Sequence, residues 1–419
     1  MPSPSHRTAS WQPGDVREAA GGLFALALAT FVAITTELVP VGLLPLISDD
    51  LEVSEGVAGL LVTAYAFMVA ALAVPLTTAT RRLPRKTLLL TTLGIYVLSN
   101  VIVAVAPTFA LVAVARALGG AAHAVFFSVS IGYASRLVRP HLAGRALALV
   151  TLGASAGFVL GVPLTTSLGT AVGWRTSFLV LAGACTLAAV LTALLLPSVA
   201  GGGAPPADAA RGARRTALAQ VTSANALAYL GHYTVYTYVS VLLLAAGLAT
   251  AALGPALLMI GALGLLGAWY AAARLDVRLR QTTVVTLGVV AAGILALGLA
   301  FPGTVGTLAA AAVWSIGFGA VAAVFQTAAI RTRGASPDVV GALVNASANI
   351  GIGGGAALGA LVLDGVGLAA VPFVGVALVV AALVVVLVAR RAFPAGPAVE
   401  HSAAEQDAGP LKGSRAAGG

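Results

Sequence analysis

Three side chains of this sequence lie where ionisable groups are expensive: Glu37, Arg116 and His123 each interrupt a long apolar run. Inside a membrane span such a group costs roughly 2.5 to 3.5 kcal/mol on insertion scales, so its presence points to function. A carboxylate and a guanidinium at one depth can act as a proton-coupling device. Glu37 would bind a proton when unpaired and release it as Arg116 approaches; the competing reading is a permanent structural ion pair. His123 follows Arg116 by seven residues, two helical turns further on the same face. Its imidazole could relay a proton near neutral pH, or it could pack a helix by bonding to a neighbour's backbone.

A second polar stripe consists of Asn225, Tyr229, His232 and Tyr236, spaced i, i+4, i+7 and i+11, with Tyr233 and Tyr238 beside it. Such a stripe is ill suited to lipid. It predicts a substrate-facing surface, with an interhelical hydrogen-bond seam as the alternative. Asn345 and Asn349, one turn apart, invite the same two readings, the seam being favoured. Gln326 and Asp364 lie nearer the ends of their runs, where a solvated role is expected. Gly153, Gly157 and Gly161 repeat every four residues, a small-residue pattern that permits close helix approach. Pro163 then removes a backbone donor and is expected to kink its helix. These glycines are expected to bring the fifth and eighth spans together and seal a cavity against proton leak.

The elements that must hold these residues follow from composition. Of the 419 residues, 59% are hydrophobic and 9% charged, far from the roughly 25% charged of soluble domains. A mean hydropathy of +1.01 exceeds what one aqueous core could bury, so the solvent is largely lipid. A single cysteine, Cys185, excludes an internal disulfide, and no metal or cofactor is implied. The net charge of +9 comes in small dispersed clusters without interleaved aromatics, which argues against nucleic acid.

A membrane helix needs about 20 apolar residues, and twelve such runs can be drawn: 21–47, 56–79, 87–106, 108–135, 145–168, 176–196, 217–246, 252–273, 283–301, 304–330, 339–363 and 366–389. The first is too long for a signal-peptide core and lacks a small-residue cleavage site. The predicted fold is an all-α membrane protein of 12 transmembrane helices in two six-helix halves. Its parts are a cytoplasmic N-terminal tail (1–20), an N-terminal half (21–196), a Gly- and Pro-containing linker (197–216), a C-terminal half (217–389) and a disordered tail (390–419).

Short loops rich in Lys and Arg stay cytoplasmic. Of the 23 basic residues, only Arg116 and Arg175 fall off one face. The others, among them Arg7, Arg81, Arg82, Arg85, Lys86, Arg136, Arg139, Arg145, Arg211, Arg274, Arg280, Arg331, Lys412 and Arg415, place both termini in the cytoplasm. The first external loop carries Asp49, Asp50, Glu52 and Glu55. A shift of about 196 residues pairs Gly157 with Gly353 and repeats the order of six spans, the internal repeat expected of a transporter that rocks two halves about a central site.

Several segments resemble the major facilitator superfamily over roughly residues 21 to 390, in particular its bacterial drug and sugar efflux branch of arabinose-efflux-permease-like and chloramphenicol-resistance-like proton antiporters. Thr36-Glu37-Leu38-Val39-Pro40 is similar to that group's first-span segment. Arg116 through Gly120, followed by His123 and Phe126-Phe127, is similar to its fourth-span segment. Gly153-Ala154-Ser155-Ala156-Gly157, continuing to Gly161-Val162-Pro163, resembles its fifth-span antiporter motif. The loop after the second span departs from the superfamily pattern, offering Thr77 and Arg81 where Gly and Asp are common and keeping only Arg82, Arg85 and Lys86 as its basic, gating end.

The resemblance implies a non-enzymatic, proton-coupled exporter of drugs, natural products or sugars in a bacterial plasma membrane, acting as a monomer whose partners are substrate, protons and lipid. An uptake symporter or facilitator of the same fold is the alternative, and a channel or scaffold a third class. No Gly-x-x-x-x-Gly-Lys phosphate loop occurs, so ATP is not an expected energy source. Gly153-Ala-Ser155-Ala-Gly157 also matches a hydrolase elbow and Gly351-Ile-Gly353 a dinucleotide loop, but both lack the preceding strand those motifs need.

Overall fold

The computed structural model describes residues 15–80, 82–198, 212–335 and 337–394. Most of the expected linker, most of the two tails and the markers Arg7, Arg81, Arg211, Lys412 and Arg415 lie outside the described residues. The first half is built from α1 (Ala20–Asp50), α2 (Glu55–Thr80), α3 (Arg85–Val105), α4 (Phe109–Leu137), α5 (Ala143–Ala156), α6 (Val162–Val172) and α7 (Trp174–Leu195). The second contains α8 (Gly212–Tyr236), α9 (Val239–Ala245), α10 (Leu253–Ala300), α11 (Thr304–Phe318), α12 (Val321–Thr332), α13 (Pro337–Gly365) and α14 (Val371–Val388). Lipid offers no hydrogen bonds to the backbone, so a spanning chain must satisfy its own peptide groups, and helices do so.

Eleven helical stretches among the described residues are long and apolar enough to cross a membrane. One of them holds two predicted spans. At 1.5 Å per residue, a straight α10 would be about 72 Å long against a hydrocarbon core of about 30 Å. It breaks at Arg278 (φ −134°, ψ 51°), and the two parts flank α11: Gly264 and Gly267 lie against Ser315 and Ile316, while Val290 and Gly293 lie against Gly317 and Trp314. The eighth and ninth spans therefore form a hairpin with almost no loop. Three other predicted spans are each interrupted: α5 passes to α6 through a π-helical turn at Gly157–Gly161, α8 passes to α9 through Thr237 and Tyr238, and α11 passes to α12 at Gly319 and Ala320.

The bundle has a basic end and an acidic end. At the basic end several cations close helices: Lys86 Nζ donates to the Ala193 (2.7 Å) and Leu196 (2.6 Å) carbonyls at the end of α7. Arg280 reaches Leu387 O at 2.7 Å near the end of α14, and Arg331 reaches Leu275 O and Asp276 O, both at 2.9 Å, beside the α10 break. Cations near C-terminal carbonyls are favoured by the helix dipole. Arg82 is exposed and Arg85 half-buried in the turn between α2 and α3. At the acidic end Arg175, one of the two arginines outside the basic set, pairs with Asp50 and donates to Ala106 O at 3.1 Å.

Each half has its own apolar core, the first around Leu26, Leu93, Phe126 and Phe178, the second around Leu287, Trp314 and Phe325. The second core also takes in Ile34, Leu38, Val41 and Leu44 of α1 with Ala58, Val62 and Ala66 of α2. The halves meet along α2 with α13, α1 with α9, and α6 with the first part of α10. These seams concentrate toward the acidic end. There Ser54 Oγ donates to Asp364 Oδ2 (2.9 Å), Tyr238 Oη lies 3.4 Å from Gly56 O and Ser240 Oγ donates to Val41 O (2.8 Å).

The expected use of the span-five glycines is corrected by this packing. Gly153 lies against the Ala27 backbone, Gly157 against Phe31 and Ile34, and Gly161 against Thr35, so all three face α1 rather than the eighth span. Helical rotation turns the glycine face of α5 inward, and the contact with the eighth span uses glycines of α10 instead: Gly254 against Pro163 and Ser167, Gly261 against Phe158 and Val159. The π turn lies directly before Val162 and Pro163, whose ring would otherwise press on the carbonyl one turn back.

A methyl group at Gly153 would fall on the Ala27 peptide, whereas one at Gly144 of the same helix meets nothing within 4 Å. Gly153→Ala should therefore destabilise the purified protein by about 1–3 kcal/mol, the usual range for overpacking, and Gly144→Ala should not. Comparing their thermal midpoints in detergent checks this.

Candidate functional site

The three ionisable residues picked out by their setting do converge, in an order the sequence did not specify. Arg116 is fully buried, and its guanidinium donates to two main-chain oxygens of α1: Nη1 to Thr36 O and Nη2 to Glu37 O, the latter at 2.6 Å. The reason lies in the sequence of α1. In an α-helix the Thr36 carbonyl would accept from the amide four residues on, but that residue is Pro40, which has no N–H. Arg116 supplies the missing donor. Its Cζ also lies 4.3 Å from the centroid of the Tyr65 ring, a cation–π contact in a desolvated place.

The Glu37 carboxylate turns away from that fork. Its Oε2 lies 3.7 Å from His123 Nε2, and His123 Nδ1 is 2.9 Å from Tyr65 Oη. Tyr65, His123 and Glu37 thus form a chain across α2, α4 and α1. The imidazole is enclosed by Tyr65, Tyr96 and Phe127, with ring centroids at 5.5, 6.3 and 4.9 Å. Glu37 is 5% and His123 2% exposed, so both groups are cut off from bulk water in this state. In a neutral imidazole one nitrogen donates and the other accepts. If Tyr65 donates to Nδ1, the ring proton sits on Nε2 facing the carboxylate.

A further polar set fixes α1 in rotation. Asn100 Nδ2 donates to Thr36 Oγ1 at 3.2 Å and lies 3.8 Å from Cys185 Sγ, which is itself 4.0 Å from Thr36 Oγ1. Cys185 is a buried packing partner joining α7, α3 and α1.

In the second half, His232 accepts a hydrogen bond at Nδ1 from Trp314 Nε1 (3.0 Å). An indole can only donate, so Nδ1 carries no proton and the neutral ring holds its proton at Nε2. Phe318 and Tyr236 stack on this imidazole, and Tyr233 meets it edge-on at 4.9 Å. Tyr229 lies over Tyr233 at 6.1 Å and against Phe318 at 5.4 Å. Three members of the predicted stripe, with Tyr233 beside them, therefore form one aromatic cluster, with Tyr229 and Tyr236 half-buried.

Asn225 departs from the expected cavity-facing position. It is 1% exposed and ties α8 to α13, Nδ2 donating to Val344 O (3.1 Å) and Ser347 Oγ (2.8 Å). Its place at the α8–α13 seam, beyond the aromatic cluster, is the physical reason. Asn349 Nδ2 donates back along its own helix to Asn345 O (3.1 Å) and Oδ1 (3.3 Å). Asp364 is exposed, in keeping with the solvated role expected of it, and also accepts from Ser54 across the two halves.

Tyr65, Asn100, Trp314 and Phe318 were not singled out from sequence. A signal for some of them exists: Trp and Tyr concentrate at membrane interfaces, so Tyr65 and Trp314 deep within spans are candidates for buried hydrogen bonds. The proline register in α1 also announces that Thr36 O needs a donor. It does not say which one.

A family model described as Major Facilitator Superfamily matches residues 26–341. The chain is 30% identical over 361 residues to a probable sugar efflux transporter of Mannheimia succiniciproducens, covering 84% of this chain and 89% of that protein. It is 32% identical over 373 residues to a chloramphenicol efflux pump of Mycobacterium tuberculosis, covering 85% and 88%. Among solved structures, a bacterial homologue of the human lysosomal transporter Spinster in an inward-facing, occupied conformation aligns with a TM-score of 0.72 at 15% identity, covering 89% of this chain and 97% of that one. A peptide transporter aligns with a TM-score of 0.73 at 13% identity, covering 90% and 96%. With its helical bundle of two six-span halves, the chain belongs to the Major Facilitator Superfamily.

Proposed function

We propose that this membrane transporter is a proton-coupled exporter of small molecules, working by alternating access in a bacterial plasma membrane with its basic end and both termini in the cytoplasm. The observation that carries the reading is the Glu37 carboxylate, buried in the first half and faced by His123 while Arg116 is engaged on main-chain oxygens. A carboxyl next to an imidazole can take up or pass on one proton, and Tyr65 extends the chain by one hydrogen bond. Export is supported by the names of the relatives, a sugar efflux transporter and a chloramphenicol efflux pump.

In this reading the first half handles the proton. The second half, whose cluster of Tyr229, His232, Tyr233, Tyr236, Trp314 and Phe318 carries no formal charge when His232 is neutral, meets an uncharged, amphiphilic cargo. The two halves, 21–196 and 217–389, rock about the region between them through the linker 197–216. Their seams toward the acidic end correspond to a state closed to the outside. The protein acts as a monomer.

Growth inhibition and drug accumulation in an exporter-deficient host test this. Expression should lower intracellular substrate in a protonophore-sensitive manner, and Glu37→Gln should reduce that effect to the level of empty vector. Undiminished protonophore-sensitive efflux by Glu37→Gln would refute the coupling role, and substrate accumulation caused by expression would mean uptake. Arg116→Ala separates the structural part: losing charged hydrogen bonds to α1 should cost about 1.5–3 kcal/mol each, seen as a lowered thermal midpoint. Glu37→Gln should leave that midpoint unchanged.

A further inference from the structure

The second proline of α1 sets the same problem as the first and is answered from the other half of the molecule. The Val41 carbonyl would accept from the amide of residue 45, but Pro45 has no N–H. Val41 is fully buried, so water does not take the place of the missing donor. The donor is Ser240 Oγ, at 2.8 Å, itself fully buried.

Ser240 reaches α1 because the seventh span is broken. α8 stops at Tyr236, Tyr238 takes a non-helical conformation (φ −107°, ψ 17°), and α9 restarts at Val239. The break directs contacts from Tyr238 and Ser240 to the first half. Tyr238 bonds Ala356 O of α13 and lies 3.4 Å from Gly56 O of α2, while Ser240 bonds α1. The contrast with Pro40 is informative. The carbonyl it orphans is served by Arg116 from within its own half and keeps its partner however the halves move. The carbonyl orphaned by Pro45 is served across the seam and loses its partner when the halves part at the acidic end.

We propose that Ser240 is a gating residue, whose hydroxyl latches the acidic end shut by completing the α1 main chain that Pro45 leaves open at Val41. The proposal rests on the alternating-access reading above. It ties the stability of one state to a single hydrogen bond between main chain and side chain, and predicts that Ser240 and Pro45 are coupled. If residue 45 had an N–H, Val41 O would be satisfied within α1 in both states and Ser240 would matter little.

The test uses full-length protein in detergent with spin labels at Ala110→Cys and Ala249→Cys, exposed positions at the acidic end of the two halves; the native Cys185 is fully buried. Ser240→Ala should raise the ratio of long to short distances by roughly tenfold, equivalent to about 1.4 kcal/mol, and should lower the thermal midpoint. Ser240→Thr, which keeps the hydroxyl, should behave as the parent protein. In a Pro45→Ala background, adding Ser240→Ala should change either readout by less than about twofold in the equilibrium ratio. An unchanged distance distribution in Ser240→Ala overturns the gate, as does an equal shift with and without Pro45. A midpoint that falls and is rescued by Pro45→Ala, without a shift in distance, keeps the bond but overturns its gating role. Failure of alternating access itself would show separately, as a single outer distance in the parent protein with and without transported drug.

Discussion

In hydrocarbon a backbone carbonyl without a donor has no water to turn to, and α1 contains two prolines that create such carbonyls. Much of the site's arrangement follows from how those two oxygens are satisfied. Thr36 O takes the guanidinium of Arg116, which sets the depth and rotation of α4 against α1. Val41 O takes the hydroxyl of Ser240, which draws α9 of the other half to the same helix. α1 is thus the element on which both halves close, and its apolar residues Ile34, Leu38, Val41 and Leu44 pack with the second core although the helix belongs to the first.

The same constraint accounts for the chemistry available to Glu37. A guanidinium committed to two main-chain oxygens makes a neighbour of the carboxylate without making a bidentate partner of it. The carboxylate instead faces His123, whose other nitrogen meets Tyr65. In the second half the imidazole of His232 is handled differently. Trp314 can only donate, so it fixes which nitrogen is bare, and the rings of Phe318 and Tyr236 stack on the imidazole. Two histidines of similar burial are thereby given different chemical characters by their neighbours.

Much of this was legible in the residues themselves. Apolar run length gave the spans because a bilayer of fixed thickness imposes a length, and the arginine clusters marked one end because each charge must leave the hydrocarbon. Several of those arginines also close helix ends, as Arg280 and Arg331 do, which counting charges does not reveal. For the hairpin within α10 the sequence predicts two spans with a loop, and the structure keeps the two spans while reducing the loop to a single non-helical residue, Arg278. The span-five glycines form the close-approach surface that their spacing predicts, yet their partner is α1.

What the sequence by itself determined is therefore what depends on position along the chain: the number and depth of the spans, the charged end, the places where an ionisable group is costly, and the two carbonyls that prolines deprive of a donor. Only the tertiary structure decided who meets whom. Arg116 on Thr36 O rather than on the Glu37 carboxylate, Asn225 on α13 and Ser240 on Val41 O all depend on the rotation of one helix against another. Helical periodicity fixes which residues share a face, whereas the partner of that face is set by packing across residues far apart in the chain.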